Sequence, residues 1–171
     1  MGKQDRLSTL WFLGNPIRKL GNNAFSGFKN LIALYFSDTS LEFIPEYAFE
    51  FNEESEKQLT IYLYGNKYLN NSGFSEFSLT KLKRPTTIVL SYYSSDTNFP
   101  YLDQKIFLPF LRSNAKNQIQ LFDKSLDCSD CRNYWLQKDP TLLKQIYRTK
   151  CSNGKVLSDT ANFKNCSNWF D

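Results

Sequence analysis

One pattern of apolar residues recurs along most of the 171-residue chain, and this internal repetition restricts its possible folds more than any other feature. A complete copy begins at Leu7, and a second begins 24 residues later at Leu31. Corresponding apolar residues of five successive copies are Leu10, Leu34, Ile61, Ile88 and Ile119, which lie 24, 27, 27 and 31 residues apart. Five copies in order argue against a chance pattern of Leu and Phe in an ordinary α/β domain. Units of this length bury their apolar sides only by stacking on each other, so the sequence predicts a solenoid.

Each copy contains a short run in which core-facing apolar residues alternate with other residues, as in Leu34-Tyr35-Phe36. Because successive side chains of a strand point to opposite faces, Leu34 and Phe36 are expected to face the core and Tyr35 the opposite surface. The stacked strands predict an α/β fold with a curved parallel sheet and short helices or turns on its convex side. The longest connection between copies contains one such predicted helix around residues 107–111, with Asp103 as its N-cap.

The first copy fits the leucine-rich-repeat motif L-x-x-L-x-L-x-x-N-x-L at every defined position. Asn15 occupies the asparagine position of this motif at the end of the strand, where its amide is expected to satisfy backbone groups as the chain turns. The third copy has Asn66 at the same position, whereas the second copy has Thr39. The fourth and fifth copies lack asparagine there.

Four cysteines follow the last copy: Cys128, Cys131, Cys151 and Cys166. Cys128-x-x-Cys131 has the spacing of zinc ligands, but Cys151 and Cys166 are 15 residues apart and the chain has no histidine. An even number of cysteines directly after a repeat array favours disulfides in an oxidising compartment. The sequence alone leaves three pairings open.

The segment between the cysteines has the features of a terminal cap, which a solenoid needs to cover its last apolar layer. Asp139-Pro140 is a predicted helix start, with Asp139 as the cap and Pro140 in the first helical position. Apolar residues then recur at helical spacing: Leu142, Leu143, Ile146 and Tyr147. We therefore predict that residues 1–126 form about five repeats without an N-terminal cap. Residues 127–171 are predicted to form a C-terminal cysteine cap whose helix lies across the open end of the solenoid.

Composition argues against several classes of function. The chain has no His, which removes Ser–His and Cys–His nucleophiles, and no acidic residues have the pattern of a two-carboxylate site. We therefore expect no enzymatic activity, no metal and no cofactor. The net charge of +4 is mild, and Lys81-Leu82-Lys83-Arg84 is interpreted as a solvated corner between repeats rather than a polyanion contact. No nucleic-acid partner is expected, and no run approaches the ~20 apolar residues that span a bilayer, so the protein is expected to be soluble.

The repeats resemble the 24-residue class of extracellular leucine-rich repeats. Cys128-x-x-Cys131 and the later Cys151 and Cys166 are similar in their order to the C-terminal cysteine cap of that class. Residues 126–136 resemble arthropod secreted proteins that are named after the non-catalytic leucine-rich-repeat subunit of the shrimp luciferase complex. The resemblance implies two disulfides, Cys128–Cys151 and Cys131–Cys166.

The same resemblance implies a secreted, non-catalytic protein that binds another protein, or an accessory subunit that stabilises a secreted enzyme or matrix complex. Unlike that family, this sequence shows no signal peptide or N-terminal cap before its first repeat, as is expected of a fragment, a truncated form or a short paralogue. The core faces of Leu7, Leu10, Phe12 and Ile17 would then lack a neighbour. We predict self-association or fraying at this N-terminal end.

The outward strand positions give a candidate binding surface on the predicted concave side. The residues between the inward positions are Trp11, Tyr35, Tyr62, Val89 and Gln120, and those two positions further on are Leu13, Ser37, Tyr64, Ser91 and Phe122. The predicted partner-binding residues are Trp11, Tyr35, Tyr62, Tyr64 and Phe122, because exposed aromatic residues are favoured at binding hot spots. Strand propensity alone, with rings that pack on each other, is the alternative explanation. The convex side or the cap would then be the binding site.

Asn70-Asn71-Ser72 is an N-x-Ser glycosylation acceptor in a turn after the third predicted strand. Asn165-Cys166-Ser167 also matches this motif. Because a bridged Cys166 would hinder access to Asn165, Asn70 is the predicted glycosylation site.

Overall fold

The computed structural model describes residues 6–52, 54–92, 98–121, 126–147 and 150–166. Within these ranges, six strands form one all-parallel sheet in which each strand pairs with the next along the chain. The strands are β1 Thr9–Trp11, β2 Ala33–Tyr35, β3 Leu59–Tyr62, β4 Thr86–Val89, β5 Gln118–Gln120 and β6 Ile146–Tyr147. The predicted α/β fold is confirmed, and the sequential parallel pairing is that of a solenoid-like stack of repeats.

The register of the sheet aligns one column of apolar residues across all six strands: Leu10, Leu34, Ile61, Ile88, Ile119 and Ile146. The first five members are those that define the repeat in the sequence. The four members from Leu34 to Ile119 are fully buried. Full burial of such a side chain contributes roughly 1.5–3 kcal/mol, so this column is a main source of the energy that holds the strands in register.

Aromatic rings form a second set of contacts in the core of the first repeats. Phe12 stacks on Phe36, with ring centroids 4.8 Å apart and ring planes 4° apart. Phe25 meets Phe36 edge-on at 5.7 Å and stacks on Phe49 at 5.8 Å. These contacts join neighbouring repeats, since Phe12 and Phe36 hold equivalent positions directly after β1 and β2.

The chain turns in the same way after each of the first three strands. Gly14, Asp38 and Gly65 each follow the aligned inward residue of their strand by four positions, and their φ angles are 71°, 53° and 74°. Such positive values favour glycine, and among other residues they are best tolerated by Asn and Asp. A Cβ at Gly65 would also overlap the Asp38 carboxylate, which would have to move aside. The sequence repeat is therefore also a repeat of backbone conformation.

The longest connection between strands contains the helix α1, Gln104–Ser113. The Asp103 carboxylate accepts a hydrogen bond from the backbone N–H of Lys105 at 2.9 Å, as expected of the predicted N-cap. Four residues of the helix are buried in the same core as the inward strand residues: Ile106, Phe107, Phe110 and Leu111. The predicted helix is therefore confirmed and packs against the core side of the sheet.

All four cysteines form disulfides. Cys128 is bonded to Cys151 and Cys131 to Cys166, with Cα atoms 5.3 and 5.2 Å apart. This is the pairing that the family resemblance implies, and it excludes the zinc alternative for these thiols. Two disulfides in so small a region are typical of an oxidising, extracellular environment.

The cap region contains two short helices, α2 Trp135–Lys138 and α3 Pro140–Leu143. Asp139 caps α3 as predicted, and its carboxylate accepts from the Thr141 backbone N–H at 3.0 Å. The longer helix predicted through Tyr147 is wrong, because α3 ends at Leu143 and Ile146–Tyr147 forms β6.

The cause of this difference is the open edge of β5. The backbone N–H of Ile119 donates to the Gln145 carbonyl at 2.9 Å, so pairing with β5 satisfies groups that a helix would leave unpaired at the sheet edge. The side chain of Gln145 is buried and donates to the carbonyls of Leu111, Asn114 and Asn117. The sheet thus continues beyond the predicted boundary between residues 126 and 127.

The interpretation of Lys81-Leu82-Lys83-Arg84 as a solvated corner is wrong for Arg84, of which only 3% is exposed. Its guanidinium donates to the backbone carbonyls of Leu31 and Lys29, in the segment that precedes β2. Arg84 therefore connects the segments that precede β2 and β4, two strands that are separated in the sheet by β3.

Candidate functional site

The face of the sheet opposite the core, here called the open face, carries a row of aromatic side chains. Trp11 stacks on Tyr35 with centroids 3.6 Å apart and planes 3° apart, and Tyr35 stacks on Tyr62 at 4.3 Å and 5°. The cause is the register, which places Trp11 beside Tyr35 and Tyr35 beside Tyr62 on neighbouring strands. Tyr64 meets Tyr62 edge-on at 6.3 Å. The structure brings these predicted residues together, and Trp11, Tyr35, Tyr62 and Tyr64 are here called the aromatic ladder.

Tyr92 extends the aromatic ladder beyond the residues that the sequence indicated. Its ring centroid lies 5.2 Å from that of Tyr64, and 45% of the residue is exposed. Tyr92 lies after β4, outside the alternating positions that were read as outward-facing. The sequence feature that could have indicated Tyr92 is the aromatic pair Tyr92-Tyr93, which follows the fourth predicted strand after Ser91.

Stacking determines which parts of the rings are accessible. Trp11 is 62% exposed, whereas Tyr35, Tyr62 and Tyr64 are partly buried. Because Tyr35 lies between two parallel rings, its flat faces are covered and its edge and hydroxyl remain for contact. The rings do pack on each other, as the alternative explanation expects. The surface they leave is a line of aromatic edges and hydroxyl groups, with one broad indole face at the β1 end.

Three of the other predicted outward residues differ from the expectation in their exposure to solvent. Val89, Ser37 and Ser91 are buried rather than exposed. The register places Val89 beside Tyr62, and a short side chain is easily covered by a neighbouring ring. Leu13 is exposed and Gln120 partly buried, as expected of outward residues. Phe122 lies outside the described residues.

The open face is uncharged. No charged side chain occupies the outward positions of the six described strands: Thr9, Trp11, Ala33, Tyr35, Thr60, Tyr62, Thr87, Val89, Gln118, Gln120 and Tyr147. This contrasts with the whole chain, in which 22% of residues are charged. Burial, a hydrogen bond with Tyr35 and neighbouring tyrosines raise the pKa of Tyr62 to about 12, so this phenol stays neutral at physiological pH. A surface without charges loses its water at a smaller cost than a charged one.

A separate concave region lies beside α1. It is a groove of about 610 Å³ whose lining includes Tyr101, Leu108, Pro109 and Arg132. The Arg132 guanidinium lies 3.6 Å from the Tyr101 ring centroid and forms a 2.6 Å ion pair with Asp130. The hydrogen bond from Arg132 lowers the pKa of Asp130. The lining also includes Glu76, Asp103 and Lys105, so the groove, unlike the outward strand positions of the open face, carries several charged side chains.

Asn70 is exposed at the start of a 3₁₀ turn, Asn71–Gly73. Its side-chain carbonyl accepts hydrogen bonds from the Ser72 backbone N–H at 2.9 Å and from the Ser72 hydroxyl at 2.6 Å. Asn165 is also exposed, but the adjacent Cys166 is buried in a disulfide. The geometry thus leaves Asn70 as the more accessible acceptor.

We expect Asn70 to carry an N-glycan when the chain is expressed in a secretory host, and Asn165 to remain mostly unmodified, because the disulfide restricts the backbone around Asn165. Intact-mass measurement and peptide mapping with and without a glycosidase test this. Ser72→Ala should remove the glycan, since it destroys the acceptor motif and leaves Asn70 in place. An unmodified Asn70 in the wild-type chain would contradict the expectation.

No helix in the described parts of the chain is long and apolar enough to cross a membrane. Among the same residues, no three His, Cys, Asp or Glu side chains come together as metal ligands would. Comparison with protein-family models, with curated proteins and with solved structures found no match.

Proposed function

We propose that this chain is a secreted, non-catalytic module that binds another protein through the aromatic ladder. The observation that carries the proposal is the alignment of Trp11, Tyr35 and Tyr62 as one stack on a face without charged side chains. The two disulfides support an extracellular setting for this role. The resemblance of the repeats to extracellular leucine-rich repeats supports it independently.

Stacking in the unbound protein lowers the entropic cost of binding a partner. A free tyrosine side chain loses rotamer freedom when a partner immobilises it, at about 0.5–1.5 kcal/mol for each flexible side chain. In the aromatic ladder this freedom is already restricted, because the rings are held against each other in the unbound protein. The Tyr35 and Tyr62 hydroxyl groups are held by a hydrogen bond between them, and each ring edge can contact an apolar group. The ladder is thus a preorganised surface that combines apolar area with polar groups.

The resemblance of residues 126–136 to the named arthropod proteins favours a second candidate, an accessory subunit that stabilises a secreted enzyme or matrix complex. Both candidates bind protein, but they differ in the partner and the stoichiometry. Recovery of an enzyme with the chain in fixed stoichiometry from native extracellular fluid would favour the accessory role. Recovery of a receptor or another non-enzymatic protein would favour the binding module.

The double variant Tyr35→Ala/Tyr62→Ala should weaken binding of the captured partner by at least about 2 kcal/mol, roughly thirtyfold in the dissociation constant. A matched control is Tyr68→Ala/Phe77→Ala, which removes two exposed aromatic side chains that do not belong to the ladder. Calorimetric titration gives the affinities, and circular dichroism verifies that both variants are folded. If the folded ladder variant binds as tightly as the control variant, the aromatic ladder is not the site.

A further inference from the structure

The segments that lead into the strands lie side by side along one edge of the sheet, because the strands are parallel and pair in sequence order. Hydrogen bonds join neighbouring segments directly. The Ser55 N–H donates to the Lys83 carbonyl at 3.2 Å, and the Lys57 ammonium donates to the Asn30 side chain at 3.0 Å. The register of the sheet continues this arrangement to β5 and β6. This side of the sheet, where the strands begin, is here called the leading edge.

Each segment that leads into one of the strands β2 to β6 carries an exposed lysine. These lysines lie two to five residues before the aligned inward residue of their strand and are Lys29, Lys57, Lys83, Lys116 and Lys144. Because neighbouring strands lie about 4.8 Å apart, the five lysines form a row about 20 Å long. They are here called the lysine row. The repeat of the backbone thus produces a repeat of positive charge along the leading edge.

Acidic residues are few beside the lysine row. Six cations, of which Arg84 is buried, and one acid, Glu56, occur in the segments that hold the row, residues 29–32, 56–59, 83–86, 114–117 and 141–144. The exposed Glu54 lies close by, and both glutamates line a concavity of about 330 Å³ together with Lys83. These two carboxylates offset part of the charge near Lys83. The leading edge as a whole keeps an excess of positive charge, which suits a polyanion.

The leading edge lacks the features with which proteins bind other polyanions. Binding sites for single-stranded nucleic acid supply aromatic side chains on which bases stack, and the five segments contain no aromatic residue. Attachment to an anionic membrane surface needs apolar side chains beside the cations, and Ile32 is the one large apolar residue exposed in these segments. The two disulfides are typical of an extracellular setting. Sulfated polysaccharides are the linear polyanions of that setting.

We propose that the lysine row binds a linear sulfated polysaccharide, whose chain runs along the leading edge across five repeats. The sulfate groups pair with the lysine ammonium groups, and binding releases the counterions that are condensed on the polymer. The polymer needs no pocket, because the row presents its charges at the regular spacing of the strands. The aromatic ladder lies on the open face rather than on the leading edge, so this inference does not depend on the proposed function.

Calorimetric titration of the whole chain with heparin oligosaccharides of increasing length tests the proposal. The affinity should rise with length until the oligosaccharide spans about 20 Å. Each charge contact contributes about 0.7 to the salt dependence of binding to a single-stranded polyanion, so five contacts predict a slope of about −3.5 for log K against log salt. Binding should therefore be roughly a hundredfold weaker in about 0.2 M than in about 0.05 M NaCl.

Three results of this titration would overturn the proposal. The first is the absence of heparin binding at the lower salt concentration. The second is equal affinity for desulfated heparin, which would show that the sulfate groups are not recognised. The third is tighter binding of single-stranded DNA or of anionic phospholipid vesicles than of heparin, which would identify a different class of polyanion as the ligand.

Lys83→Ala/Lys116→Ala removes two neighbouring members of the lysine row. It should weaken heparin binding at least about tenfold and reduce the salt slope to about −2. The matched control is Lys19→Ala/Lys67→Ala, which lowers the net charge equally at two exposed lysines outside the row. This control should bind heparin nearly as tightly as the wild type. Equal weakening by the two double variants would show that only net charge matters, and the lysine row would not be the site.

Glu54→Gln/Glu56→Gln tests the sign of the effect. Removal of the two carboxylates beside Lys83 should tighten heparin binding about threefold or more, because they repel the polymer. Weaker binding by this variant in its folded form, verified by circular dichroism, would contradict the proposed path of the polymer. Tyr35→Ala/Tyr62→Ala should bind heparin like the wild type, so failure of the lysine row and failure of the aromatic ladder are distinguishable.

Discussion

Replacement of Arg84 by alanine is expected to lower the free energy of unfolding by about 4 kcal/mol. The Arg84 guanidinium donates to the Leu31 carbonyl at 2.6 Å and to the Lys29 carbonyl at 2.7 Å. It also lies 5.0 Å from the centroid of the Phe51 ring. Alanine would remove two charge-assisted hydrogen bonds, leave the buried Leu31 carbonyl without this donor, and open a gap beside Phe51. Each such bond contributes about 1.5–3 kcal/mol, and two of them account for the expected loss in the free energy of unfolding.

The effect should depend on the shape of the guanidinium as well as on its charge. No carboxylate among the described residues forms an ion pair with Arg84, so backbone carbonyls and the Phe51 ring are what stabilise its charge. Burial accordingly lowers the pKa of Arg84. Lysine has a single ammonium group and cannot reach both carbonyls with the planar geometry of arginine. Arg84→Lys should therefore also destabilise the fold, by about half as much.

Urea unfolding with the disulfides intact measures these differences. Lys83→Ala is the matched control, since Lys83 is the exposed neighbour in the same basic cluster, and it should change stability by less than about 0.5 kcal/mol. Equal stability losses for Lys83→Ala and Arg84→Ala would show that the cluster acts through its general charge. No loss for Arg84→Ala would show that its two hydrogen bonds contribute nothing net to the fold.

Arg84 illustrates which features of this fold could be predicted from the sequence and which could not. The inward column of strand residues and the helix α1 follow from periodicity and capping, which are local patterns that the sequence displays directly. The burial of Arg84 depends on carbonyls 53 and 55 residues away, and no local pattern encodes that contact. The sixth strand was missed for the same reason. Leu142 and Ile146 have helical spacing, and only the open edge of β5 makes Ile146–Tyr147 a strand.

In the candidate site, too, local patterns could be predicted from the sequence, whereas contacts between side chains could not. Alternation within the strands placed Trp11, Tyr35 and Tyr62 on one face, and their equivalent positions in successive repeats placed them in register. Their packing on each other was one of two explanations that the sequence left open, because the choice between them depends on side-chain rotamers. The burial of Val89 could not be predicted either, since it depends on the size of the neighbouring ring rather than on the position of Val89 in its strand.

Buried asparagines outside the motif position also connect turns of the stack. Asn117 accepts from the Thr86 backbone N–H at 2.9 Å, and Asn133 accepts from that of Leu102 at 3.0 Å. Asn71 accepts from the Asp103 backbone N–H at 3.1 Å and donates to the Tyr101 carbonyl. All three are buried and join different turns of the stack. Their spacing does not follow the motif, which is why the pattern alone did not reveal them.

Asn66, which the motif did reveal, should be about as important for stability as Arg84. Its amide donates to the Phe36 carbonyl at 2.7 Å and to the Leu63 carbonyl at 2.8 Å. Its carbonyl oxygen accepts from the Leu41 backbone N–H at 3.1 Å and from the Thr39 hydroxyl at 2.7 Å. One side chain therefore satisfies buried groups of two adjacent repeats. Asn66→Ala leaves the Leu63 carbonyl and the Leu41 N–H without this partner, whereas the Thr39 hydroxyl can still donate to the Phe36 carbonyl at 3.1 Å. At about 1–3 kcal/mol for each unpaired buried group, the expected loss is about 4 kcal/mol.

The repeat itself supplies the control for this prediction. Asn15 holds the same motif position in the first copy, but it is exposed and donates only to the carbonyls of Phe12 and Leu13, at 3.1 and 3.4 Å. Water can replace those bonds, so Asn15→Ala should cost less than about 1 kcal/mol in urea unfolding. Asn66→Asp should destabilise about as strongly as Asn66→Ala, because an oxygen would then face the carbonyls of Phe36 and Leu63. Equal losses for Asn15→Ala and Asn66→Ala would mean that the motif position, rather than burial of its hydrogen bonds, sets the contribution of this asparagine.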